Sequence, residues 1–445
     1  MNQRKHLSAK EYLLVLLVFC VCLAGALLIP VDQCPDEGGR LLLTEWILGK
    51  GTLPVGDDPE VILPGWGFSY ALRPYLSSIV GAAFERIALC FTDSPRILLA
   101  ASRMCSVLSV TLCCFFCLRL GHRLFERRGS ALLFATLVCF LPQVMFLGMY
   151  QNNDIMALCT VSMMLYFWVE GCKRKWPVQS CVGLAVSFSM GLLSYYSIYG
   201  WILMCALFCV PAVLTDPEIP DKGRLILQRA ALIAGICLLL AGWFFIRNAI
   251  LHNGDFLGIA SEETSREKMR ALGYTLYDYV RYCDLGMDVA AFLQMGDRWW
   301  LRMTCWSFVG VFGYLDILLP MPQYIIYYIV FITGAVLYAA VLIRHKPGKR
   351  DALLMFMMVS AGVITFFLHF WQSYARDYQP QGRYIITLIL PLAFMLAYGV
   401  DKTTVTVRNS RSGKAAELNP AAVLTMLWLV LFAWAALGTM REMLF

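Results

Sequence analysis

Four short stretches of this 445-residue chain gather the side chains able to do chemistry. Cys34, Pro35, Asp36 and Glu37 follow an apolar run, with Asp32 just ahead of them. Asp154 ends the stretch Tyr150, Gln151, Asn152, Asn153, Asp154. Trp243, Arg247 and Asn248 come before Gly254 and Asp255, and Gln381, Gly382, Arg383 and Tyr384 come late, shortly after Arg376. Two of these elements are acidic and two basic. A positioned carboxylate takes the proton of an attacking hydroxyl, an effect worth about 10² to 10⁴ in rate. A guanidinium offers a planar fork that matches carboxylate or phosphate oxygens. Each element also has a plainer reading: a solvated turn for Asp36 and Glu37, a helix N-cap for Asp154, and lipid-headgroup snorkelling for Arg247 and Arg383.

The chemistry the chain does not advertise narrows the field. Its five histidines do not cluster, and no HExxH, no phosphate-cradling glycine loop and no Asp-x-Asp pair occurs. No cofactor is expected, no metal ligand set is assigned, and a divalent metal requirement stays open. Nothing points to nucleic acid. Most of the 17 cysteines fall in apolar runs, as Cys113, Cys114 and Cys117 do, where they serve as small apolar fillers. Only Cys34, Cys283 and Cys305 are placed to pair, and no disulfide is assigned.

The elements that must position these residues are membrane helices. Apolar residues make up 59% of the chain and charged ones 15%, with a mean hydropathy of +0.65, outside the range of water-soluble domains. Uncharged runs long enough to cross about 30 Å of hydrocarbon occur at 12–29, 131–149, 230–246, 322–343, 352–371, 384–400 and 420–440. Two more, 97–118 with Arg103 inside it and the short 155–169, fit spans with polar ends. The uncharged stretch 178–214 is too long for one helix and folds into a hairpin near Tyr196, Ser197 and Gly200. The expectation is an all-α polytopic membrane protein of about 11 transmembrane helices, read as one membrane-embedded domain over 1–445.

Lys and Arg near span ends stay on the cytoplasmic side. They alternate cleanly along the loops, with 21 basic against 9 acidic residues on the inner side and 16 against 21 on the outer. This puts the N-terminus in the cytoplasm, the C-terminus outside, and all four chemical elements on the outer face. Residues 70–91 are apolar enough to cross, but a crossing there would invert every later loop. With Glu85 and Arg86 near its middle, this segment is laid in the outer interface, as is 304–319 around Asp316. If both crossed, the spans would number 13. Two long outer loops remain, roughly 30–95 and 247–321. The first span, apolar over 18 residues, is read as an uncleaved anchor.

With these motifs in this order on one side, the chain resembles the GT-C superfamily of membrane glycosyltransferases, including protein O-mannosyltransferase and aminoarabinose transferase relatives. It is most similar to bacterial membrane proteins of the DUF2142 type, on Pro35-Asp36-Glu37, Asn153-Asp154 and Gln381-Gly382-Arg383-Tyr384. Such relatives often carry His three residues after the Glu, where this chain has Arg40. The resemblance implies a GT-C-like fold with outer interfacial helices, in the cell membrane of a bacterium. It implies transfer of a sugar from a polyprenyl-phosphate donor to a glycan, glycolipid or protein acceptor on the outer face of the cytoplasmic membrane. Asp36 would then be the base, Glu37 and Asp154 would orient it or the acceptor, and Arg247, Arg376 and Arg383 would hold the donor phosphate, supported by Asn248, Asp255, Gln381 and Tyr384. Tyr195, Tyr196 and Tyr199 would stack on sugar rings or belong to an interfacial aromatic belt. The rival readings are a transporter or lipid flippase and a non-catalytic subunit of an envelope polysaccharide assembly. A transporter keeps ionisable groups near the bilayer midplane, whereas here the polar residues gather at the outer margin.

Overall fold

The computed structural model describes residues 6–31, 33–403, 405–408, 415–418 and 420–443; Asp32, Arg4, Lys5, Arg411 and Lys414 lie outside them. The described chain is helical, with two short antiparallel hairpins at Val311–Phe312 with Ile317–Leu318 and at Val405–Arg408 with Ala415–Leu418. In chain order its helices are α1 (Ala9–Leu28), α2 (Glu37–Lys50), α3 (Leu76–Ala88), α4 (Pro95–Ser102), α5 (Met104–Leu124), α6 (Arg128–Cys139), α7 (Pro142–Leu147), α8 (Asp154–Arg174) and α9 (Val178–Leu192). They continue as α10 (Tyr199–Leu214), α11 (Lys222–Leu240), α12 (Gly242–Leu251), α13 (Ile259–Ala271), α14 (Val289–Val309), α15 (Met321–Arg344), α16 (Lys349–Ala375), α17 (Ile389–Asp401) and α18 (Pro420–Gly438).

Among the described residues nine helices are long and apolar enough to cross a membrane. The other two expected spans are the shorter apolar helices Arg128–Cys139 and Val178–Leu192. The first is short because Pro142, lacking an N–H, ends the run at Phe140 and opens α7. The expected hairpin in 178–214 is present, turning through a 3₁₀ segment at Tyr196–Ile198. The span expected at 230–246 begins eight residues earlier, at Lys222, because Asp221 caps that end through Arg224 N at 3.1 Å. It ends at Leu240, so Arg247 and Asn248 sit on the separate helix α12. Neither 70–91 nor 304–319 forms a candidate span: the first becomes a 3₁₀ turn and the 13-residue α3, and the second is split between the end of α14 and the first hairpin.

Helix α8 is the axis of the bundle, buried along nearly its whole length and packed against α5, α9 and α10. Helix α11 buries none of its residues inside the protein and exposes Leu227, Leu238 and Leu239, a surface suited only to lipid. A second apolar cluster of Leu43, Val61, Ala71, Tyr75, Leu193, Ala241 and Phe244 ties α2 and the first long loop to α12.

Ion pairs join the helix ends read as cytoplasmic. Glu11 meets His122 at 2.7 Å, Glu170 takes Arg123 at 2.7 Å, and Asp401 accepts the backbone N–H groups of Glu126 and Arg127 at 3.0 Å each. The elements around Asp36, Asp154 and Arg383 lie at the opposite ends of α1, α8 and α17. Orientation is open to a direct test, because exposed Cys90 follows α3 on one side while half-exposed Cys172 ends α8 on the other. In single-cysteine variants in intact cells, an impermeant maleimide is expected to label Cys90 and to reach Cys172 only after permeabilisation. The reverse pattern would invert the topology.

Candidate active site

The site starts from a charge inside an apolar helix run. Arg103, between α4 and α5, is fully buried and uses its whole fork. Its Nε and Nη2 donate to the two carboxylate oxygens of Glu37 at 2.8 and 2.7 Å, and Nη1 donates to the Ala26 and Ile29 carbonyls at 2.9 and 2.6 Å. Glu37, equally buried, also accepts Gln151 N at 2.9 Å. This pair clamps the start of α2 against the end of α1 and against the turn before α8. Glu37 is thereby fully engaged in holding three elements together.

That turn, 150–153, is irregular backbone buried in the protein, tolerable because side chains take up its polar groups. Asn152 Nδ2 donates to the Leu147 and Tyr150 carbonyls at 2.5 and 2.8 Å, and Asn153 Nδ2 donates to the Pro74 carbonyl at 3.1 Å. Asn152 Oδ1 accepts Ile155 N at 3.0 Å. Asn152, rather than Asp154, thus satisfies the free N–H of the helix start. Asp154 is left to point elsewhere.

Asp36 precedes α2 with φ of +63°, a left-handed conformation that costs a non-glycine residue strain. From there its carboxylate reaches Arg383, 347 residues away in sequence, with Nη2 to Oδ2 at 2.5 Å. Arg383 Nη1 lies 4.0 Å from Asp154 Oδ2, an ion pair too long for a hydrogen bond. One guanidinium therefore stands between two carboxylates. Arg383 and Asp154 are each 3% exposed, while Asp36 is 30% exposed and forms the open side. Gly382 sets the position of Arg383, since a Cβ there would lie 2.2 Å from the Thr304 carbonyl and 2.3 Å from Phe308 N on α14. Only glycine allows that approach, which Ser307 Oγ secures by accepting Gly382 N at 2.7 Å.

The walls are aromatic. Tyr384 receives an Arg383 Nη2 bond at 3.1 Å and stacks on Tyr195 with centroids 5.9 Å apart. His369 lies 5.7 Å from the Tyr384 ring and stacks on Trp300. Tyr196 and Tyr199 donate instead to the Leu257 and Leu192 carbonyls. Arg40 packs over the Tyr70 ring at 5.0 Å, and the Tyr70 hydroxyl hydrogen-bonds Asp36. Burial alone would push the Asp36 carboxyl up, but Arg383, Arg40 and the Arg383 and Tyr70 hydrogen bonds outweigh it and hold Asp36 below the ordinary carboxylate range. The buried Asp154 keeps the opposite sign, because desolvation outweighs Arg383 and pushes its carboxyl up.

The structure thus brings together Asp36, Glu37, Asp154, Arg383 and Tyr384 from the expected set. The remaining members have other surroundings. Arg247 donates to the Leu53 and Pro54 carbonyls at 3.1 and 2.9 Å, and Asn248 Nδ2 donates to the Leu72 carbonyl at 3.1 Å, so both staple α12 to the first long loop. Asp255 accepts the N–H and hydroxyl of Ser261 at 2.7 and 2.8 Å. Arg376 closes α16 on an exposed corner, and Gln381 Nε2 donates to Gln379 at 2.5 Å. Arg103, Tyr70 and Tyr150 were not expected there. A charge within an apolar run signals a buried partner and points to Arg103; the two tyrosines carry no comparable signal. Among the described residues no three His, Cys, Asp or Glu side chains gather as a metal site.

This helical arrangement is similar in fold to GT-C membrane glycosyltransferases of known structure. ArnT from Cupriavidus metallidurans bound to undecaprenyl phosphate superposes with a TM-score of 0.54 at 14% identity, covering 88% of this chain and 60% of that one. The archaeal oligosaccharyltransferase AglB from Archaeoglobus fulgidus, in complex with an inhibitory peptide and a dolichol-phosphate, gives 0.53 at 10% identity, over 96% of this chain and 56% of that one. The chain therefore spans somewhat over half the length of these two structural neighbours. The chain belongs to the DUF2142 family of predicted membrane proteins, whose model matches residues 66–392. That stretch includes Asp154 and Arg383 and begins after Asp36. No curated protein matches the chain.

Removing one partner of a buried ion pair strands the other charge, at a cost of about 3–5 kcal/mol. Arg103→Met and Glu37→Gln are each expected to lower the thermal unfolding midpoint in detergent markedly, and the double variant to lose less than the sum of the two. Strict additivity would show that the two residues act independently.

Proposed function

We propose that this protein is a GT-C-type glycosyltransferase that moves a sugar from a polyprenyl-phosphate donor to an acceptor hydroxyl on the outer face of a bacterial cytoplasmic membrane. The observation that carries this reading is a single buried guanidinium, Arg383, shared by two carboxylates at the mouth of a GT-C bundle. A lipid-linked donor arrives laterally from the bilayer, so the site needs no nucleotide pocket. Asp36 takes the acceptor proton as the acceptor oxygen bonds to the sugar C1. The C1–O bond to phosphate breaks, and its electron pair leaves on polyprenyl phosphate, whose charge Arg383 stabilises. Asp154, facing the same guanidinium from the buried side, orients it. Arg247 and Arg376 remain secondary candidates for the phosphate.

The short Asp36–Arg383 contact bears on timing. A base held at low proton affinity is a poor one, since general bases work best with a pKa near the operating pH. Donor phosphate competing for the Arg383 fork frees Asp36 and raises its proton affinity. The base becomes effective once the donor has arrived, which limits futile attack by water. The transporter and assembly-subunit readings assign no task to this exchange.

Purified protein incubated with synthetic polyprenyl-phosphate sugars is expected to release polyprenyl phosphate, and Asp36→Asn to abolish release with little loss of detergent stability. Wild-type turnover in that variant would remove Asp36 from the mechanism. Arg383→Lys should weaken donor use and Arg383→Gln weaken it further, with little effect on acceptor affinity. The pH profile gives an independent check. Because Arg383 lowers the Asp36 pKa, the acid limb of kcat/KM should lie below the usual carboxylate range in the wild type and move to higher pH in Arg383→Gln. An unmoved limb would mean that Asp36 is not the titrating group.

A further inference from the structure

A second guanidinium lies near the same carboxylates. Arg40 lies on the first turn of α2, four residues after Asp36, and is 5% exposed. Its Nε is buried with no hydrogen-bond partner. The group rests on the Tyr70 ring, and Tyr70 is held tightly there: a Cβ on neighbouring Gly39 would come within 2.6 Å of that ring. One turn of α2 after Asp36, Arg40 is near enough for its charge to lower the proton affinity of both Asp36 and Asp154.

Other buried guanidinium groups in this protein are well supplied with acceptors. Arg103 has Glu37 and three main-chain carbonyls, and Arg266 has the Trp66 and Tyr277 carbonyls with the Tyr279 ring beneath it. Arg383 resembles Arg40 instead, since its Nε and Nη1 are buried without hydrogen bonds, Nη1 having only the Asp154 carboxylate at 4.0 Å. Three buried donor atoms on two guanidinium groups beside the same carboxylates thus lack a hydrogen bond. A buried donor without an acceptor costs about 1–3 kcal/mol, more when charged, and native proteins rarely leave several together unless something binds there.

We infer that Arg40 and Arg383 form a two-guanidinium anion site that grips the phosphate of the lipid-linked donor and of the polyprenyl phosphate product. This rests on the proposed function and adds to it a ligand that the motif comparison left without a role. Phosphate suits the site better than a carboxylate because its non-bridging oxygens point in several directions and meet two forks at once. Arg40 comes from α2, whose start is clamped by Glu37, and Arg383 comes from the segment locked by Gly382. The grip is therefore preorganised on rigid elements. The two forks also divide the work: Arg383 can leave Asp36 for the phosphate while Arg40 continues to offset the carboxylates.

The test measures binding rather than turnover. Full-length protein in detergent is titrated with undecaprenyl phosphate, with undecaprenol and with phosphatidylglycerol, for wild type, Arg40→Gln and Arg40→Lys, and each variant's unfolding midpoint is recorded. Wild type should prefer undecaprenyl phosphate to both other lipids. Arg40→Gln should reduce that binding about tenfold or more while leaving undecaprenol binding and the unfolding midpoint little changed, and Arg40→Lys should fall between. Undiminished preference for undecaprenyl phosphate in Arg40→Gln overturns the role of Arg40 and leaves the proposed function standing. Equal loss of undecaprenol binding in both variants, with a lowered midpoint, overturns it in favour of a structural role. A wild-type protein that does not distinguish undecaprenyl phosphate from undecaprenol refutes the proposed function itself, and this inference with it.

Discussion

Arg103 and Glu37 meet where neither reaches water, and removing two charges from water costs several kcal/mol each unless their hydrogen-bonding capacity is used. The rest of this end of the bundle follows from meeting that demand. Arg103 draws the Ala26 and Ile29 carbonyls at the end of α1 onto itself, and Glu37 draws in the buried turn before α8. The turn in turn binds Pro74 and Ser77 through Asn153, which seats the start of α3. An apolar pair of the same volume would fill the space but leave the Gln151 N–H and those carbonyls without partners. The ion pair therefore acts less as a source of net stability than as a device that admits one arrangement of four elements.

That arrangement places Asp36 and Asp154 on one guanidinium. The acidic residue next to Asp36 is spent on structure, and this leaves Asp36, strained into a left-handed conformation, as the carboxylate open to the cleft. The pairing holds its proton affinity down, although burial alone would raise it. In the proposed mechanism, a base restrained by the group that would serve the leaving phosphate couples proton removal to donor occupancy by simple competition, with no moving lid.

The opposite ends of the same helices carry a different kind of polar layer. Glu11 with His122, Glu170 with Arg123 and Arg174, and Asp401 with the Glu126 and Arg127 backbone link neighbouring helix ends pairwise. Those charges are paired across neighbouring helix ends and tie the bundle together, while at the other end Arg40 and Arg383 keep buried donors without hydrogen bonds.

The membrane character, the approximate spans and the grouping of Asp36, Asp154 and Arg383 at one end were legible in the sequence. They depend on properties that act locally along a chain, apolar run length and the distribution of Lys and Arg, whereas the break at Pro142 within the expected span 131–149 appears only in the structure. Arg103 reads in the sequence as a polar end of a span, and only the structure shows its buried partner Glu37. Only the tertiary structure decided how the polar residues divide their labour. Arg247 and Arg383 look equivalent in sequence, yet one meets main-chain carbonyls and the other two carboxylates. Asp154 looks like a helix cap until Asn152 is seen to take that bond, and Arg40 looks like a departure from a motif until it is found above Tyr70 beside Asp36. The physical reason is that a charged side chain's role is set by the few ångströms around its tip. In this protein those neighbours come from segments as far apart as 347 residues.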